Sequence, residues 1–144
     1  MNENSVLHKF IEIIQYKNTY QYQSSGIQPQ DMYVLERIYF QEKIKIKELS
    51  TKYSIPPSTL TGIIDRLEAK KYIQRVRTNI DRRTIELIAT EGGKKIVQKH
   101  IEEDKLFSRN LFNTLEKEVK EQLLQLLKEM VTNVKAEDLF KDNN

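Results

Sequence analysis

Apolar residues in the first half of the chain recur at helical spacing, in blocks separated by turn residues. Val6, Leu7, Phe10, Ile11, Ile13 and Ile14, continued by Lys17 to Tyr20, predict an amphipathic helix ending near Ser24-Ser25-Gly26. Pro29 stands where a first helical residue has no useful N–H to lose, and Met32, Leu35, Ile38 and Tyr39 carry a second helix from it. After a short break at Glu42-Lys43, Ile46, Leu49 and Tyr53 make an i, i+3, i+7 stripe on a two-turn helix. Ser54-Ile55-Pro56-Pro57 forces extended backbone ahead of each proline, hence a sharp turn. Pro57 then begins a helix with Leu60, Ile63, Ile64 and Leu67 on one face.

Beyond Lys70 the pattern changes to β-branched runs, Tyr72 to Arg77 and Thr84 to Ile88, around the polar tip Thr78-Asn79-Ile80-Asp81-Arg82-Arg83. A hairpin is the natural reading. Thr90-Glu91-Gly92-Gly93 punctuates, and Ile96, Val97, Ile101, Phe107, Leu111 and Phe112 mark a long helix. Asn113-Thr114-Leu115-Glu116 supplies capping residues for a last helix, Leu115 to about Val134. After Ala136 the tail turns polar, with Leu139 and Phe140 as its apolar docking candidates. The fold class expected is mainly α with a small β-hairpin.

Composition narrows the function classes. A chain of 144 residues fits one domain and buries roughly 68–70% of its unfolded surface. No apolar run approaches the roughly 20 residues that span a bilayer, and Met1-Asn2-Glu3-Asn4 lacks the basic start of a secretory signal. The absence of cysteine removes disulfides and thiolate metal sites and fits a reducing compartment, so a cytoplasmic protein is expected, with no membrane partner. No Gly-rich phosphate loop, metal-ligand cluster or nucleophile–base pair appears, so neither an enzyme nor a cofactor is expected. Charge is unevenly placed. Lys45 to Arg83 holds ten basic residues against four acidic ones, +6, whereas the remainder holds 14 basic and 17 acidic, −3. A basic module on an acidic body suits a polyanion.

Once its apolar stripe is buried, the helix from Pro57 offers Ser58, Thr59, Thr61, Gly62, Asp65 and Arg66 to solvent. Short hydroxyls at a helix amino terminus suit phosphates and base edges. Gly62 costs about 1 kcal/mol relative to alanine, which either permits close approach to DNA or is a tolerated weak spot. Arg66 suits a phosphate or a neighbouring carboxylate. Arg75, Arg77, Arg82 and Arg83 crowd the hairpin within nine positions, a poor arrangement for an isolated hairpin and a good one for a narrow minor groove. Asp81 can hold a neighbouring guanidinium in one rotamer, or cap its own turn. Together these segments make a helix-turn-helix with a basic wing, shaped for double-stranded DNA.

Ser58-Thr59-Leu60-Thr61 through Asp65-Arg66-Leu67-Glu68, then Arg75, Asp81-Arg82-Arg83 and Thr90-Glu91-x-Gly93, resembles the MarR family of winged helix-turn-helix regulators. The resemblance implies a winged helix-turn-helix over about 28–90 and dimerisation helices over about 5–25 and 94–135. It matches Ser58, Thr59, Thr61 and Arg66 to recognition-helix positions. Arg83 would enter the minor groove, oriented by Asp81, beside DNA-facing Pro57, Gly62, Arg75, Arg77 and Arg82. It also implies a homodimer on an inverted repeat, most often a repressor, with Phe10, Ile14, Phe107, Leu111, Leu123, Leu127 and Met130 as interface candidates. The last helix supports this independently, because its apolar stripe is wider than one packing seam needs. A small-molecule effector is implied as well, with Tyr16, Tyr20, Tyr33 and Tyr39 as candidates, although such tyrosines more often belong to core or interface. His100, Glu103 and Asp104 share a helix face, but one histidine is a thin ligand set and no metal is assigned. Lys71 departs from the family glycine after the recognition helix, where a left-handed cap is harder for lysine, and Ala89 replaces a leucine. The competing reading is a winged helix used as a protein-interaction or RNA-binding module.

Overall fold

Asn2 opens the first helix by accepting the Ser5 N–H at 2.9 Å, and Gly26 closes it in the left-handed region at φ 70°. This is α1, Glu3–Ser25. It is followed by α2 (Pro29–Gln41), β1 (Ile44–Lys45), α3 (Ile46–Lys52) and α4 (Pro57–Ala69). Then come β2 (Ile73–Arg77), β3 (Ile85–Ala89), α5 (Glu91–Phe112), α6 (Lys117–Asn133) and a single 3-10 turn at Ala136–Asp138. The computed structural model describes residues 1–78 and 83–142. They group into two units, Met1–Asp104 and a second starting at Lys105, so the division falls inside α5.

The first unit contains the core. Leu35 and Ile38 of α2, Leu49 of α3 and Leu60, Ile63, Ile64 and Leu67 of α4 are fully buried against Ile73 and Leu87 of the sheet and Val97 of α5. Each such side chain contributes about 1.5–3 kcal/mol by leaving water, which is why the i, i+3, i+4, i+7 row fixes the roll of α4 about its axis. The strands pair antiparallel in the order β1-β3-β2, with Arg75 opposite Leu87 and Ile44 also opposite Leu87. The strand β1 is an addition to the expected hairpin. It occupies the interval read as a break running into a helix, and two residues carry no alternation to read.

The turn into α4 is built as the prolines require. Pro56 is extended at ψ 136°, Ser54 takes φ 53°, and Ser50 closes the loop by donating its hydroxyl to Ile55 O at 2.6 Å. At the other end of α4, Lys71 sits at φ 62°, with its N–H on Glu68 O and the Tyr72 N–H on Leu67 O. That pair of bonds is the left-handed helix stop in which glycine is favoured. The strain foreseen for lysine is therefore present. Lys71→Gly is expected to raise the stability of the first unit by about 0.5–1 kcal/mol in urea unfolding, because relief of strain outweighs glycine's extra chain entropy. A loss of stability would mean that the lysine side chain contributes more than its backbone strain removes.

In the second unit the end of α5 turns at residues 113–116 into α6, none of whose residues is buried. Lys120 donates to Asn113 Oδ1 at 2.9 Å across that turn. Leu139 and Phe140 do not dock in this unit. They are 64% and 101% exposed.

Candidate nucleic-acid interface

Burial of the apolar row leaves Pro57, Ser58, Thr61 and Asp65 exposed along α4, with Thr59 and Gly62 half-buried. Thr61 donates its hydroxyl to Pro57 O at 2.9 Å, so its outward lone pairs are left to accept. A Cβ added at Gly62 would touch Arg66 Nη1 at 3.4 Å, an ordinary contact, so nothing inside the protein demands glycine there. Arg83 is exposed at the foot of β3 and lines one concave surface with Lys45, Lys47, Ser50, Thr51, Pro57 and Thr61. The helix amino terminus and the base of the wing thus share a cationic hollow. Lys45 and Lys47 were not singled out as contacts from sequence, because only the fold of β1 and α3 turns them toward α4. Arg77 is exposed at the end of β2. Asp81 and Arg82, the other wing residues, lie outside the described residues.

Two arginines expected on this surface are engaged elsewhere. Arg66 makes a fork on Asp31 of α2, Nε to Oδ2 and Nη2 to Oδ1, both at 2.9 Å. Hydrogen bonding to Asp31, and then its charge, hold this guanidinium more firmly protonated than usual. Asp31 is itself buried, so Arg66 ties the recognition helix to α2. The signal was available: Asp31 stands four before Leu35 on the inward row of α2, where an unpaired carboxylate would be costly. Arg75 is bound at 2.6 Å to Asp65 and at 3.2 Å to Glu68, both on α4.

A second polar cluster joins α1, α2 and α5 within the first unit. His100 Nε2 lies 3.0 Å from Glu36 Oε1 and 3.5 Å from Asp104 Oδ2. Lys17 reaches Asp104 Oδ1 at 2.7 Å, and buried Gln21 donates to the same oxygen at 2.9 Å. Glu36 thus takes the place expected for Glu103, which turns to Ser24 at 3.5 Å. The trio Glu36, His100 and Asp104 is close enough to share an ion, but Lys17 and a protonated His100 already answer its negative charge. The hydrogen bond to Glu36 raises the His100 pKa above its ordinary 6.5 despite desolvation. Desolvation acts to raise Asp104, yet Lys17, Gln21 and the His100 charge together lower it. A raised histidine stabilises the fold fully below its unfolded pKa and loses that contribution as pH rises through the folded value. The urea midpoint of the first unit is therefore expected to fall as pH rises above the ordinary histidine value of 6.5, and His100→Gln should flatten that slope. An unchanged slope in the variant would place the pH dependence elsewhere.

The four tyrosines do not converge. A cavity of about 180 Å³ bounded by Lys17, Tyr22, Ile27, Met32, Tyr33 and His100 includes only Tyr33 among them. Tyr16 and Tyr20 of α1 are exposed, and Tyr39 packs on Phe40 at 5.1 Å beside a different groove. Tyr22, missed from sequence, borders the cavity instead. Of the interface candidates, Phe10, Ile14 and Met130 are exposed, and Phe107, Leu111, Leu123 and Leu127 are half-buried. Among the described residues no helix is long and apolar enough to cross a membrane.

This arrangement of elements has known counterparts. The MarR family model matches residues 27–85, from two residues before α2 to the first residue of β3. The HTH-type transcriptional repressor MdtR of Bacillus subtilis is 32% identical over 71 residues, 49% of this chain and 46% of that protein. The matched region is thus about half the length of that relative. The transcriptional regulator Tm0710 of Thermotoga maritima superposes with a TM-score of 0.66 at 29% identity, covering 90% of this chain and 91% of its own. FabT of Streptococcus pneumoniae, solved in complex with DNA, has the same fold at a TM-score of 0.73 and 21% identity, over 93% of this chain and 100% of its own. The helix-turn-helix of this chain thus matches the MarR family of winged helix-turn-helix regulators over residues 27–85, and the fold is shared with Tm0710 over 90% of the chain.

Proposed function

We propose that the protein is a sequence-specific regulator of transcription that binds double-stranded DNA as a homodimer on an inverted repeat and represses, with release by a small ligand. The observation that carries this reading is the shared hollow of Thr61, Pro57, Lys45, Lys47 and Arg83. It presents a helix amino terminus suited to a major groove next to an arginine suited to the adjacent minor groove. The DNA complex of FabT and the repressor designation of MdtR support the same use of this fold. Exposed apolar residues on α1 (Leu7, Phe10, Ile11) and α6 (Leu126, Met130, Val131) support a second copy as partner. The 180 Å³ cavity supports a small effector, since it lies below the roughly 300–1,000 Å³ of drug-sized sites.

Duplex binding measured against salt tests the reading. Phosphate neutralisation gives a slope of about −0.9 per contact in log–log form. A flat dependence would favour a protein-interaction module. Arg83→Ala is expected to weaken binding to a selected inverted repeat by about 1–3 kcal/mol while leaving the oligomeric state unchanged. Affinity equal to wild type would remove the wing from the interface.

A further inference from the structure

We propose that Arg75 is a positioning residue, which fixes the wing to the recognition helix through Asp65 and Glu68 and makes no contact of its own with nucleic acid. The proposal rests on the DNA-binding reading above and assigns Arg75 a different role from the groove contact expected for it.

The register of the sheet carries the inference. Arg75 is the direct cross-strand partner of Leu87, and such partners point to the same face. Leu87 is fully buried, as is Ile73 two residues before Arg75, so this is the face turned to the core. The Arg75 side chain therefore leaves the sheet toward α4, and it is 34% exposed. Two of its nitrogens are already matched, Nη2 to Asp65 at 2.6 Å and Nε to Glu68 at 3.2 Å. Asp65 and Glu68 are three apart on the helix, so one guanidinium spans both and resists rotation of α4 against β2. Moving Arg75 to a phosphate would leave two carboxylates unpaired beside a polyanion, and their repulsion would offset the gain. Held in place, Arg75 neutralises them and sets the spacing between helix and wing.

The test is a mutant cycle on the full chain. A duplex is first enriched by the wild-type protein from a random 30-bp pool, a length of about three helical turns. Affinity for it is divided by affinity for poly(dI-dC), which cancels the general attraction gained when carboxylates are removed. Arg75→Gln and the double variant Asp65→Asn/Glu68→Gln should each lower this ratio by about tenfold, and the triple variant by no more than either. Arg75→Gln should leave the salt slope at its wild-type value. The proposal is overturned if Arg75→Gln flattens the slope by about one contact and remains additive with the carboxylate changes. It is equally overturned if Arg75→Gln lowers the urea midpoint and leaves the ratio unchanged, the signature of a purely structural ion pair. If the wild-type protein enriches no duplex, the DNA-binding reading fails first and takes this proposal with it.

Discussion

Gly93→Ala is expected to destabilise the first unit by about 3 kcal/mol or more, a large fraction of the roughly 5–15 kcal/mol that holds an ordinary domain folded. A Cβ at Gly93 would fall on the carbonyl oxygen of Tyr72, well inside contact distance, and 3.0 Å from its carbonyl carbon. That backbone cannot retreat. The Tyr72 N–H is bonded to Leu67 O and its carbonyl accepts the Thr90 N–H, both at 3.0 Å. Thr90 adds a second tie, donating its hydroxyl to Lys71 O at 2.7 Å while accepting the Gly93 N–H at 3.0 Å. The start of α5 is thus fastened to the stop of α4, and glycine is what lets the two backbones meet. Gly92→Ala is the control, because its Cβ meets Thr90 Oγ1 at 3.7 Å and Lys71 O at 3.9 Å, ordinary distances. Gly92→Ala should be neutral or stabilising by up to about 1 kcal/mol through helix propensity. Equal urea midpoints for the two variants would show that the approach at Gly93 is not what requires glycine.

The motif around Gly93 was legible as a motif, while its reason was not. Sequence spacing marks Thr90 and Gly93 but says nothing of Tyr72, which arrives through the sheet. The helices were readable because each has its own apolar period and its own stop: Leu60 to Leu67 specify the buried face of α4, and Pro29 and Pro57 specify where two helices begin. Charge was readable only as charge. The same guanidinium that suits a phosphate suits a carboxylate, and Arg66 and Arg75 found carboxylates brought to them by tertiary structure. His100 shows the same limit. Its neighbour Asp104 follows from helical spacing, but Glu36 comes from α2, and no local pattern pairs them. The strand β1 escaped because two residues acquire strand geometry only by pairing with β3.

Leu126→Glu combined with Met130→Glu is expected to halve the mass in solution and to weaken binding to an inverted repeat by about 10²–10⁴-fold. The two residues are 62% and 64% exposed and four apart, hence on one face of α6. Carboxylates there stay largely solvated in a single copy and repel one another by only a few tenths of a kcal/mol, so α6 should remain helical, and circular dichroism checks this. In a homodimer closed by that face they would be buried as unpaired charges, which is strongly unfavourable. Leu123 and Leu127 are less clean positions, because both are half-buried already and a charge would disturb the second unit itself. The effect on DNA follows from valency rather than from any lost contact. A dimer presents two recognition helices about one turn apart, and the second half-site is engaged at a high effective concentration once the first is bound. A monomer binds each half-site alone. Affinity for a duplex carrying one half-site should therefore be nearly unchanged in the variant, while the advantage of the full repeat disappears. If the mass stays that of wild type, the α6 face does not close the assembly. If half-site binding falls as steeply as binding to the repeat, the substitutions have damaged the fold rather than the partnership.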